Sequence, residues 1–306
     1  MRTAAAGRAK RAMLLLVTAL TALLVGNTAG VATAAPDDSV DRTVRLPDGD
    51  IHVVTSGAPS DRAVVLIHGT GGSVSWWDPV LPALTDFYVV RVDLLGHGRS
   101  AKPDSGYGMA EQGHRVGAVL DWLGVRSAIV VGHSTGGYVA TELAAQRRDL
   151  ITAIGLISTG SRLDAFTDNG PLGNLLFVPQ IGQPLWPLLP DAAIRYAMSS
   201  AFTRDVAIPQ QLVDDFHGMT YRSITATSDA SDVYLRERRE PDRLADLGLP
   251  SLVLYGSGDH RWPAASFQDY RNVPGVRIES LDCGHSPMIE EPGPTGELLR
   301  DFAEQH

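Results

Sequence analysis

The sequence predicts an α/β fold: a mostly parallel eight-stranded sheet with helices on both faces and a helical cap inserted in its second half. Three observations carry this. Short β-branched runs, apolar on both faces, alternate with longer helical stretches, the pattern of strands covered on both sides. The alternation stops between about residues 161 and 243, where prolines and aromatic residues crowd together. The composition permits a full core, since the 306 residues are 44% apolar and only 20% charged. That balance excludes a disordered chain, and the single cysteine excludes a module stapled by internal disulfides.

Taken in order, the first 34 residues read as an export signal. Arg2, Arg8, Lys10 and Arg11 precede an apolar run over residues 12–25, too short for a spanning helix. Ala32, Thr33 and Ala34 then fit the A-x-A cleavage pattern. The expectation is a secreted protein cut after Ala34. Removing this segment, which holds four basic and no acidic residues, takes the formal charge from -9 to -13. An acidic surface argues against nucleic acid and anionic membrane as partners of the mature form.

Residues 43–46 and 51–56 form a leading hairpin turned at Pro47, Asp48 and Gly49. Runs at 63–68, 87–92, 128–132, 153–158 and 251–255 are the buried strands, and 276–281 alternates like an edge strand. Helices are expected at 109–123, 135–147, 263–270 and 294–304. Within the interruption, 191–201, 210–217 and 229–239 are candidate short helices. The domain reading is therefore a core of residues 35–160 and 244–306, with residues 161–243 as a cap over the sheet's carboxyl edge. Its aromatic residues, among them Phe166, Phe177, Trp186 and Phe216, predict an apolar pocket.

The chemistry concentrates at Gly132, His133, Ser134, Thr135 and Gly136, which match G-x-S-x-G between a buried strand and a helix. Both glycines suit a turn too tight for larger residues, and the turn pushes the Ser134 hydroxyl into the cleft. A serine hydroxyl needs an adjacent base, histidine has a suitable pKa, and a carboxylate must fix the histidine's tautomer. Further along lie Gly256, Ser257, Gly258 and Asp259 after one strand, and Cys283, Gly284 and His285 after the last. Upstream are His68, Gly69, Thr70, Gly71 and Gly72, and the turn Asp93, Leu94, Leu95, Gly96, His97, Gly98, Arg99 and Ser100.

With these five motifs in this order, residues 41–306 resemble the α/β-hydrolase family. The resemblance implies a lidded α/β-hydrolase fold with Ser134 as nucleophile, Asp259 as acid and His285 as base. It also implies an oxyanion hole from the Thr70 and Thr135 amides. Trp76 and Trp77 follow that loop; one is expected in the core and the other against substrate, without a sequence reason to choose.

Position separates the competing residues. Of the nine histidines, His285 alone combines a strand-end loop, a preceding glycine and the right order. His133 is expected to turn away from its neighbour Ser134, and His260 is a candidate for lining the site. Asp164 and Asp282 are rival acids. Cys283 is a conceivable thiol nucleophile beside His285 but reads better as a small core residue. No metal motif and no cofactor loop is present in the sequence.

The function expected is hydrolysis of a carboxylic ester or similar acyl bond on a small, apolar or aromatic substrate, through an acyl-enzyme. Lactonase, carbon–carbon hydrolase, cofactor-free haloperoxidase and aminopeptidase chemistries share the motifs. A binding protein on the same scaffold is the reading from another class.

Overall fold

A computed structural model describes residues 38–306. The expected signal segment and its cleavage point lie outside the described residues.

Eight strands form one sheet. They are β1 (Val40–Val44), β2 (Ile51–Ser56), β3 (Arg62–Ile67), β4 (Val89–Val92), β5 (Ser127–His133), β6 (Ile151–Ile157), β7 (Ser251–Gly256) and β8 (Arg277–Leu281). Their spatial order is β1-β2-β4-β3-β5-β6-β7-β8. The leading hairpin joins antiparallel, and every pair from β4 to β8 is parallel.

Side chains alternate across the central strands, as the pleat requires. Val65, Ile67, Val90 and Val130 enter one apolar cluster, while Val64, Leu66, Val89 and Val131 enter another on the opposite face. The first cluster is closed by α1 (Met109–Leu123) and α2 (Thr135–Gln146). Trp77, Leu299 and Phe302 belong to the second.

Between β6 and β7 run α3 (Gly170–Leu176), α4 (Pro179–Leu185), α5 (Asp191–Ser199), α6 (Gln210–His217), α7 (Tyr221–Glu237) and α8 (Glu240–Leu247). The chain closes with α9 (Pro287–Glu290) and α10 (Pro292–Gln305).

Several elements differ from expectation, each for a local reason. α3, α4 and α8 are additional to the expected helices. Pro171, Pro179 and Pro241 each sit in the first turn of one of them, where proline's missing N–H costs nothing. α7 starts at Tyr221 rather than 229, because Thr220 caps it: the Thr220 hydroxyl accepts the Ser223 N–H at 3.0 Å. The stretch expected as a helix at 263–270 forms 3-10 turns over Ala264–Asn272. α8 crosses the expected cap boundary at 243/244 and packs on α2, where Glu240 receives the Thr141 hydroxyl. It serves the core as the crossover into β7.

Parallel strands place the loops after β3, β5, β7 and β8 at one edge, where ligands bind in open α/β sheets. The motif residues identified above lie at the carboxyl ends of those strands, in the loops that follow them or the loop after β4, or in the first turn of α2.

Candidate active site

Ser134 stands between β5 and α2 with φ 51° and ψ −121°, a backbone conformation that side chains rarely adopt. Close approach on both sides enforces it. A Cβ on Gly132 would lie 2.2 Å from the Gly136 carbonyl oxygen, and one on Gly136 would lie 2.4 Å from the His68 and Ile67 carbonyl oxygens. The strand–turn–helix corner is therefore open only to glycine at these two positions.

His285 stands beside this serine. Its Nε2 is 3.1 Å from Ser134 Oγ, and its Nδ1 is 2.8 Å from Asp259 Oδ2. An ionised carboxylate only accepts, so Nδ1 carries the proton in the neutral ring and Nε2 is free to accept from the serine hydroxyl. The second carboxylate oxygen, Oδ1, accepts the Arg261 N–H at 2.8 Å and the Trp262 N–H at 3.2 Å. These bonds hold Asp259 in one orientation. Both Asp259 and His285 are buried.

The loop carrying His285 is pinned from two directions. The His285 N–H donates to the Ala201 carbonyl at 2.7 Å, and its own carbonyl accepts from His133 Nε2 at 2.9 Å. Buried Glu290 accepts the Gly284 N–H through Oε1, and through Oε2 the Thr203 N–H and hydroxyl. Glu290 thus ties the loop to the cap. Sequence reasoning missed it, since a lone Glu at the end of a short helix carries no motif.

Thr70 and Thr135 come together from separate loops, with their hydroxyl oxygens 2.9 Å apart. The Thr135 N–H opens α2 and has no intrahelical acceptor, so it sits at the positive end of the helix dipole. The loop bearing Thr70 is anchored by the turn after β4. Asp93 accepts the Val74 N–H at 2.8 Å, the Arg99 N–H at 2.8 Å and His52 Nδ1 at 2.7 Å. Burial alone would raise this carboxyl, but His52, His68 and the Arg99 amide hold it below the usual carboxylate range. His68 Nε2 accepts the Leu94 N–H at 3.0 Å, so its Nδ1 donates to the Gly69 carbonyl at 2.8 Å. Burial lowers its pKa and keeps it neutral for this role.

The two tryptophans divide. Trp77 is fully enclosed beneath the sheet, and Trp76 lines the cleft, stacked on the His133 ring at 6.0 Å. His133, expected to turn away from Ser134, packs its ring between Trp76 and His285. Its ring centroid lies 5.0 Å from that of His285, and burial, reinforced by the neighbouring His285, keeps it well below the normal histidine pKa.

His260 must be corrected: it is exposed and absent from the cleft wall. The turn that folds the Arg261 and Trp262 amides back onto Asp259 brings those two residues to the cleft instead. The rival acids lie elsewhere. The Asp164 side chain is 79% exposed and pairs with Arg162, and that of Asp282 is 99% exposed. The buried Cys283 thiol is pushed up to about 12 by desolvation, which leaves no thiolate for attack. Among the described residues no group of His, Cys, Asp or Glu is placed to hold a metal ion.

Ser134 opens into a cavity of about 390 Å³ between sheet edge and cap. Phe166, Leu176, Phe177, Trp186, Phe216 and Ile224 supply its cap-side wall.

Residues 64–297 match the family described as the alpha/beta hydrolase family. An uncharacterized protein of Mycobacterium tuberculosis is 38% identical over 269 residues, covering 80% of this chain and 76% of that protein. The dihydrolipoyllysine-residue acetyltransferase component of the acetoin cleaving system of Cupriavidus necator is 30% identical over 249 residues. That match covers 78% of this chain and 63% of the relative, so the chain spans less than two thirds of that protein's length. Among solved structures, the enol-lactonase of Burkholderia xenovorans superposes with a TM-score of 0.71 at 20% identity. It covers 86% of this chain and 100% of the other, a likeness of fold.

Proposed function

The chain belongs to the alpha/beta hydrolase family and is a hydrolase, and from that premise we propose that it cleaves a carboxylic ester through a covalent acyl-enzyme on Ser134. The observation that carries this reading is the unbroken chain of hydrogen bonds from Ser134 Oγ through His285 to Asp259.

In this mechanism Ser134 Oγ attacks the ester carbonyl carbon while His285 Nε2 takes the hydroxyl proton. Asp259 stays ionised and stabilises the imidazolium. The carbonyl oxygen becomes an oxyanion held by the Thr135 and Thr70 amides, a term worth roughly 10²–10³ in rate per donor. Collapse breaks the bond to the leaving alcohol, which departs with the proton from His285. Water then repeats the sequence on the acyl-enzyme and releases the acid.

The aromatic and aliphatic cap wall supports acyl groups that are short, medium or aromatic. The enol-lactonase likeness fits a cyclic ester equally well, since a lactone opens by the same steps.

The test is turnover of p-nitrophenyl esters from acetate to laurate, with Ser134→Ala alongside. An optimum at short to medium chains is expected, with kcat lowered roughly 10⁴-fold or more in the variant. Unchanged turnover in Ser134→Ala would overturn the mechanism.

Export is part of the same proposal and rests on the basic start, short apolar run and Ala32-Thr33-Ala34 site. Protein recovered from the medium with Ala35 at its N-terminus is the expected result. Cell-bound protein retaining Met1 would contradict it.

A further inference from the structure

Arg261 has no motif to explain it, yet it stands in the wall of the cleft beside His285, Trp262 and Phe166. It is the only Lys or Arg among the lining residues. Its backbone N–H is committed to Asp259, which fixes the side chain's origin two residues from the triad's acid. Its Nε is buried with no hydrogen-bond partner, and its guanidinium enters no ion pair among the described residues. Both oxygens of Asp259 are occupied, by His285 and by the Arg261 and Trp262 amides. The other carboxylate acting on the guanidinium, Asp168, is exposed and accepts the Gly170 N–H.

A half-buried guanidinium whose Nε is shut away from water without a partner is costly, and arginine remains charged in such surroundings. Arg91 and Arg115 also have a buried, unpartnered Nε, but their terminal nitrogens pair with Asp78 and Asp48. Arg261 is the exception, and it faces the cleft. Its planar fork of donors suits a carboxylate better than any neutral group.

We propose that Arg261 is a binding site for a carboxylate carried by the substrate, so that the preferred ester is a monoanion such as the half-ester of a dicarboxylic acid. The single positive charge matches a single negative one. A phosphate dianion would call for a second cation that the wall does not offer, and the remaining charged lining residues, Asp229 and Asp232, are exposed acids on α7. Arg261 is therefore the one group in the wall that attracts an anion by its charge. This inference rests on the ester hydrolase reading above and narrows its substrate class.

The test compares mono-p-nitrophenyl adipate with its neutral methyl ester on the wild type, Arg261→Met and Arg261→Lys. The readout is the ratio of kcat/KM for the two esters. The wild type is expected to favour the anion, and Arg261→Met to lower the ratio by roughly 10–100-fold, the scale of a charged hydrogen-bonded contact. Arg261→Lys is expected to recover part of it. An equal fall on both esters, leaving the ratio unchanged, would make Arg261 a structural residue and overturn the proposal.

If neither ester is turned over, the mechanism on Ser134 fails separately. Calorimetric binding of the same two esters to Ser134→Ala, with and without Arg261→Met, then decides the matter. Tighter binding of the anion that disappears with Arg261 supports the site. Equal binding of both esters overturns it.

Discussion

Glu240 heads α8 and is fully enclosed, with only the Thr141 hydroxyl donating to its carboxyl. Desolvation pushes this carboxyl up to about 8, against the opposing pull of Thr141, Tyr234 and the nearby Arg243. The unfolded chain releases this proton near the ordinary value of about 4.3. Between these two values the folded state binds more protons than the unfolded one, so stability falls as pH rises through that window. Glu240→Gln keeps an acceptor for Thr141 and has no proton to lose. It is expected to raise the melting temperature by a few degrees at pH 8.5 and to change it little at pH 5. A shift of the same size at both values would contradict the assignment. Glu240 shows what single residues withhold from a sequence reading. Its partners come from α2, 99 residues away, and no local pattern marks it as buried. The same holds for Glu290 and His133, whose contacts arise only when distant loops meet. Trp76 and Trp77 were indistinguishable in sequence because both follow one loop, and only the 3-10 turn over Val74–Ala83 decides which ring goes under the sheet.

At the scale of elements, legibility followed the physics of each segment. α1 matches its expected bounds, Met109–Leu123, because its apolar face repeats at helical spacing and Gly124 ends it in the left-handed region with φ 77°. The central strands were legible from β-branched runs buried on both faces. The strand–turn–helix corner at Ser134 was legible from Gly132 and Gly136, and the close approaches at both give the reason. The cap was legible as a helical interruption, with α5, α6 and the second half of α7 where short helices were expected, but α3, α4 and the start of α7 were not legible. Its prolines start α3 and α4 rather than break them, and its helices are short, with tertiary packing rather than propensity holding them.

At the scale of the whole molecule, the parallel sheet is what makes a site from residues scattered over the chain. Ser134, Asp259 and His285 lie 151 positions apart at the widest, yet β5, β7 and β8 all end at one edge. The cap then closes the space above them, and Glu290 joins the cap to the His285 loop through Thr203 and Gly284. The central claim is that this assembly makes Ser134 a nucleophile. Intact-mass measurement after treatment with a fluorophosphonate tests it most directly, because only an activated serine reacts readily. The account predicts a single adduct, mapped to the peptide bearing Ser134 and absent from Ser134→Ala. Labelling at another residue, or no adduct on protein that still hydrolyses esters, would contradict it.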